Sequence, residues 1–151
     1  MLTGRLLHPG ILAALAGAGH GSLVLVTDAN YPATTQRGPH AEVVHLNLAP
    51  GVVDAVTVVA ALAAQAPIEE AFVMAPATAG PYALADDPPI WSRFTAALAD
   101  AGSPVPLQRL ERTAFYAAAA TPDVALCVVT GETEVYANLL FRVGVVRFPT
   151  S

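Results

Sequence analysis

The run Leu23-Val24-Leu25-Val26 carries no polar residue and stops at Thr27-Asp28. Four consecutive β-favouring residues without alternation read as a strand buried on both faces of a sheet. Val124 to Val129 is a second such run, late in the chain. Helical patterns stand around and between them. Leu7 to Ala18 predicts a short helix, because Pro9 suits a first turn, Ile11, Leu12 and Leu15 recur at helical spacing, and Gly17 and Gly19 end it. Further helices are predicted over Gly51 to Gln65, Ile90 to Ala101 and Glu111 to Ala120. Strands are predicted around Glu42 to Leu46, Glu70 to Met74, Val105 to Leu107 and Leu139 to Val146, with loops over Tyr31 to His40 and Ala75 to Pro89. This alternation predicts an α/β layered fold with a mixed or largely parallel central sheet. At 151 residues, a single domain over 1–151 is expected.

Composition narrows the function. Hydrophobic residues make up 54% of the chain and charged residues 13%, against about 25% charged in ordinary soluble domains. A lone subunit with so few charges exposes wide apolar patches, which mark contacts with other subunits or a membrane. The Ala-rich stretch Val52 to Ala66 is broken by Asp54, Thr57 and Gln65, and no window reaches about 18 strongly apolar residues. No membrane span is expected, so subunit contacts are. A net charge of -5 with seven Lys and Arg argues against nucleic acid. Pro9 and Gly10 interrupt the first apolar stretch, whose one basic residue is Arg5, so no secretory signal is read and a cytoplasmic location is expected. Cys127 lies inside an apolar run and reads as a small buried hydrophobe.

Gly17-Ala18-Gly19-His20-Gly21 looks superficially like a phosphate loop, but a dinucleotide loop follows a strand and opens a helix. Here the order is reversed, so the glycines form a turn that carries a histidine. Asp28 ends the strand that His20 begins, and ligand sites in open α/β sheets lie beyond the carboxyl ends of strands. A strand from Ser22 to Thr27 is about 20 Å long, which puts His20 and Asp28 at opposite ends. Either the loops fold back a long way, or each pocket combines the histidine of one subunit with groups of its neighbour. His40 and His45 have poor metal-ligand spacing, and His8 reads as surface at the start of a helix. Arg112, ahead of Phe115-Tyr116 in a predicted helix, reads on its own as a solvated surface arginine before a ligand-binding one. Tyr136 and Asn138 are side chains able to hydrogen-bond sugar hydroxyls. Glu69-Glu70 and Asp86-Asp87 read as solvated charges, and Trp91 and Phe94 as core or interface.

Gly19-His20-Gly21, Asp28-Ala29-Asn30-Tyr31-Pro32, Arg112 with Phe115-Tyr116, Thr130-Gly131-Glu132 and Tyr136-Ala137-Asn138 occur in one order. Together they resemble the RbsD/FucU family of D-ribose pyranases and L-fucose mutarotases, over nearly the whole chain from Leu7 to Val146. The resemblance implies a three-layer α/β/α, RbsD-like domain and an isomerase, interconverting the anomers of L-fucose by ring opening and closing. The alternatives are a D-ribose pyranase or a non-catalytic sugar-binding, transport-associated module. It further implies that His20 transfers the proton while Asp28, Arg112, Tyr136 and Asn138 hold the sugar. Arg112 and the aromatic and proline after Asp28-Ala29-Asn30 lean towards the fucose branch, whereas Ala137 resembles the pyranases. Ring opening needs one proton removed from the anomeric hydroxyl and one delivered to the ring oxygen, which an imidazole with an unperturbed pKa of about 6.5 suits in both directions. No cofactor and no metal are expected. The implied assembly is a homo-oligomer, a decamer of stacked pentamers, with sites between subunits.

Overall fold

The computed structural model describes residues 1–149. Six strands form one sheet in the order β2-β5-β1-β6-β3-β4, with β1 Leu23–Thr27, β2 Glu42–His45, β3 Ile68–Met74, β4 Leu107–Leu110, β5 Val124–Val129 and β6 Leu139–Val143. β6 runs antiparallel to both of its neighbours, and every other pairing is parallel. The sheet is therefore mixed.

All five residues of β1 are buried. Val24 and Val26 enter one core with helices α1 (Pro9–Gly17), α2 (Ala55–Ala63) and α3 (Ile90–Asp100), while Leu23 and Leu25 enter a second core with α4 (Arg112–Ala119). The unbroken apolar run thus has a helical layer on each side, giving three layers of unequal thickness. Fully burying each of these side chains stabilises the fold by about 1.5–3 kcal/mol. Cys127 joins the second core, where burial pushes its thiol up to about 11.

Several element ends differ from those read in the sequence. α2 begins at Ala55 and not near Gly51, because the Asp54 carboxylate caps it, accepting from the Thr57 amide at 2.8 Å, and Gly51 turns the chain at φ 78°. β4 starts at Leu107, after Pro104 and Pro106, which have no amide hydrogen for a ladder. β6 stops at Val143, and the Gly144 amide donates instead to the Pro67 carbonyl at 2.8 Å. His8 has a role the sequence did not suggest: its Nδ1 accepts from the Ile11 amide at 3.3 Å as the N-cap of α1.

Candidate functional site

Parallel strands bring their carboxyl ends to one edge of the sheet, and an antiparallel strand brings its amino end there. β1 delivers Asp28 to that edge, while β6, paired through Val26 and Leu139, delivers Tyr136, Ala137 and Asn138. β3 ends there at Met74, and α4 opens just after β4 with Arg112. Asp28, Arg112, Tyr136 and Asn138 line one cavity of about 490 Å³, with Tyr31, Met74 and Tyr116 as further walls. That volume suits a small-molecule site.

Asp28 and Asn138 are each 4% exposed and bind one another reciprocally. The Asp28 amide donates to Asn138 Oδ1 and Asn138 Nδ2 donates to Asp28 Oδ2, both at 2.9 Å, while Asp28 Oδ1 accepts from the Asn30 amide at 2.9 Å. The two bonds with Asn138 cross between adjacent strands, and those from Asn138 Nδ2 and the Asn30 amide hold the carboxylate, one on each oxygen. Burial raises the Asp28 pKa above 3.8, and the bonds from Asn30, Asn138, Ala137 and Tyr31 only partly offset it.

Tyr136 has φ 59°, in the left-handed region that side chains other than glycine seldom adopt. Trp91 Nε1 donates to its carbonyl at 3.2 Å. Its hydroxyl donates to the Tyr82 carbonyl at 2.7 Å and accepts from the Ala77 amide at 3.0 Å, which leaves one lone pair for a ligand. The Arg112 guanidinium lies 5.6 Å over the Tyr116 ring and makes no ion pair among the described residues. Its N–H donors are open to a ligand in the cavity.

His20 lies at the other end of the sheet. The Gly21 amide donates to the carbonyl of Val143, the last residue of β6, at 2.9 Å, so the loops do not fold His20 back to Asp28. Its side chain is 57% exposed, and Nε2 sits 3.1 and 3.2 Å from the two Glu69 carboxylate oxygens. A carboxylate only accepts, so the hydrogen of this bond sits on Nε2. His20 lines a separate depression of about 690 Å³ with His40, Asp123 and Arg142. In the sequence Glu69 reads as a solvated charge, since nothing local links it to a residue 49 positions away.

Thr130-Gly131-Glu132 has a structural explanation that the sequence did not supply. A Cβ at Gly131 would stand 2.4 Å from the carbonyl oxygens of Ala49 and Val52. The Glu132 carboxylate accepts from the Thr133 amide at 2.8 Å and the Glu134 amide at 2.9 Å, and from the Ala55 amide at the start of α2 at 3.4 Å. Its carbonyl accepts from the Ala29 amide at 2.9 Å, which ties the loop after Asp28 to the loop after β5. No cluster of three or more His, Cys, Asp or Glu among the described residues has the geometry to hold a metal ion, and no helix among them is long and apolar enough to cross a membrane.

Residues 1–146 match the model of the RbsD / FucU transport protein family. Fucose mutarotase of Homo sapiens is 33% identical over 148 residues, which span 93% of this chain and 90% of that protein. The structure of the fucose mutarotase from Streptococcus pneumoniae, in complex with L-fucose, aligns with TM-score 0.76 at 23% identity, covering 93% of this chain and 94% of that one. Bacillus subtilis RbsD complexed with D-ribose aligns with TM-score 0.72 at 23% identity, covering 97% of this chain and 100% of that one. The two solved structures share this mixed α/β fold.

Proposed function

The chain belongs to the RbsD / FucU transport protein family, and from that premise we propose that it is a sugar mutarotase, an isomerase that opens and recloses the ring of a monosaccharide, with the α and β anomers of L-fucose as substrates. One observation carries the reading. Asp28, Arg112, Tyr136 and Asn138, from three separate segments, line a single cavity at the carboxyl edge of the sheet. The buried Asp28 carboxylate accepts from a sugar hydroxyl, Arg112 donates to sugar oxygens, and Tyr136 offers its remaining lone pair to a hydroxyl. Asn138 fixes Asp28 and completes the polar floor.

His20 is the proton-transferring group. With Nε2 donating to Glu69, its Nδ1 takes the proton of the anomeric hydroxyl or returns one to the ring oxygen, and water carries the second proton. This chemistry creates no charge that requires a metal and moves no electrons that require a redox cofactor. Because His20 and Asp28 stand at opposite ends of β1, the site is completed by a neighbour: the His20 edge of one subunit faces the carboxyl-edge cavity of the next. The assembly is a homo-oligomer, a decamer of stacked pentamers, acting in the cytoplasm.

Saturation-transfer NMR on L-fucose tests this. The expected result is magnetisation passing between the α and β anomeric signals at a rate proportional to protein. Line broadening without exchange would instead identify a sugar-binding module. Ala137, which resembles the pyranases, makes D-ribose the second sugar to test. Faster pyranose–furanose exchange on ribose than anomer exchange on fucose would move the assignment to that branch.

A further inference from the structure

Residues 75–89 form a loop whose segment from Pro81 to Leu84 is one wall of the candidate pocket. Its ends are firmly held. The Ala75 amide donates to the Leu110 carbonyl at 2.8 Å, the Trp91 amide donates to the Pro88 carbonyl at 3.0 Å, and Arg109 pairs with Asp87 at 2.5 Å while lying 5.1 Å over the Trp91 ring. Its middle is different. From Ala77 to Asp87 no side chain is buried, so little apolar surface keeps the segment in place. Among the described residues, the hydrogen bonds joining residues 76–86 to the rest of the chain all end on the Tyr136 hydroxyl. It accepts from the Ala77 amide at 3.0 Å and donates to the Tyr82 carbonyl at 2.7 Å, clamping both arms of the loop at one oxygen. Within the loop, Ala77 and Ala83 bridge, and the Ala83 amide donates to the Gly80 carbonyl at 3.2 Å, so clamping Ala77 and Tyr82 also positions the turn between them.

We propose that Tyr136 is a positioning residue that latches the 75–89 loop over the pocket, and that it governs sugar affinity chiefly through the wall formed by Pro81, Tyr82 and Leu84. The left-handed backbone at Tyr136, with Trp91 bonded to its carbonyl, presets where the phenol ring stands, so the latch belongs to the rigid body and the loop to the mobile side. The claim about affinity rests on the sugar-mutarotase reading of this cavity. The claim about the loop does not.

The test is hydrogen exchange on the unliganded oligomer, alongside KM and kcat for anomer exchange, in the wild type, Tyr136→Phe and Ala77→Pro. Tyr136→Phe removes both bonds and keeps the ring, whereas Ala77→Pro removes one donor and keeps the phenol. Amides in 77–84 are expected to exchange roughly ten- to a hundredfold faster in Tyr136→Phe, and less markedly faster in Ala77→Pro. If the unlatched loop forms the wall only about a tenth of the time, KM rises about tenfold, and Ala77→Pro, which keeps the phenol, is expected to raise KM in step with its own faster loop exchange. Unchanged exchange at 77–84 in Tyr136→Phe overturns the latch. Faster loop exchange with unchanged KM, or a fall in kcat alone, overturns its role in affinity. A wild type that exchanges the anomers of no sugar defeats the mutarotase reading, and hydrogen exchange still decides the latch.

Discussion

At the scale of single residues, Asp28 shows how one burial event serves both position and charge. Its two oxygens are taken by two donors, the Asn30 amide and Asn138 Nδ2, and an asparagine in its place has one carbonyl oxygen to offer them. Burial raises its pKa in the folded protein, so the folded state binds this proton more tightly than the unfolded chain. The associated stability is present below the ordinary value of 3.8 and is lost as the pH rises through the raised folded value. Asp28→Asn, which does not ionise, is expected to keep more of its stability than the wild type as the pH rises above 3.8 in denaturant titrations. Coincident slopes for the two proteins would refute the raised ionisation. His20 makes a contrasting case, its side chain being exposed and, among the described residues, bonded to Glu69 alone. Loss of a general acid/base group slows catalysis by about 10²- to 10⁴-fold. His20→Ala is accordingly expected to lose anomer exchange to that degree while its melting temperature and sugar affinity stay near those of the wild type. Full exchange activity in the variant would transfer the proton role to another residue.

At the scale of elements, α4 is the part of the site with the narrowest support. Phe115 and Ala119 are its two fully buried residues, and Phe115 meets the edge of the Tyr31 ring at 6.4 Å. Phe115 is the larger anchor of a helix that carries Arg112 and Tyr116 into the pocket. Phe115→Ala is expected to destabilise the protein by about 3–5 kcal/mol. At about 2–4 °C per kcal/mol, calorimetry would record a drop in Tm on the order of 10 °C. Arg112 would move with its helix, so KM for the sugar should rise as well. A small Tm change would mean that the second core holds α4 by contacts other than this ring. The opposite face is better supplied, since α2 and α3 pack on one another as well as on the sheet.

At the scale of the whole molecule, the cavity and the histidine occupy opposite edges of one sheet, and a single chain does not bring them together. Some of the exposed apolar residues stand near both places. Tyr82, Leu84 and Val135 line the cavity and are exposed, and the exposed Val145, Val146 and Phe148 come just after β6 ends at the His20 edge. Such surface in a charge-poor protein fits burial against copies of itself. A shared site makes a quantitative prediction. His20→Ala and Asp28→Asn subunits, each inactive alone, should regain activity when unfolded together and reassembled at equal ratio, because random mixing gives about one pocket in four an intact histidine and an intact aspartate. No recovery in mixed oligomers confirmed by native mass spectrometry would place both groups of each site in one chain.

The alternation of Leu23 to Val26 with helical patterns was enough to establish a layered α/β fold, because apolar runs and helical spacing are local properties of the chain. The turn around His20 and the position of Asp28 at a strand end were equally legible, since glycine and strand termination also act over a few residues. Three features were decided only by the tertiary structure. The antiparallel setting of β6, which puts Asn138 beside Asp28, depends on pairing across 110 positions of sequence. Glu69 reaches His20 only because β3 and β1 flank β6, so that their starts lie at the same edge. The Tyr136 hydroxyl reads in sequence as a free sugar ligand, and folding commits its donor to the carbonyl of Tyr82, 54 positions away. Composition and periodicity report which faces of an element seek burial, whereas hydrogen-bond partners are chosen by the packing that brings distant segments within 3 Å of one another.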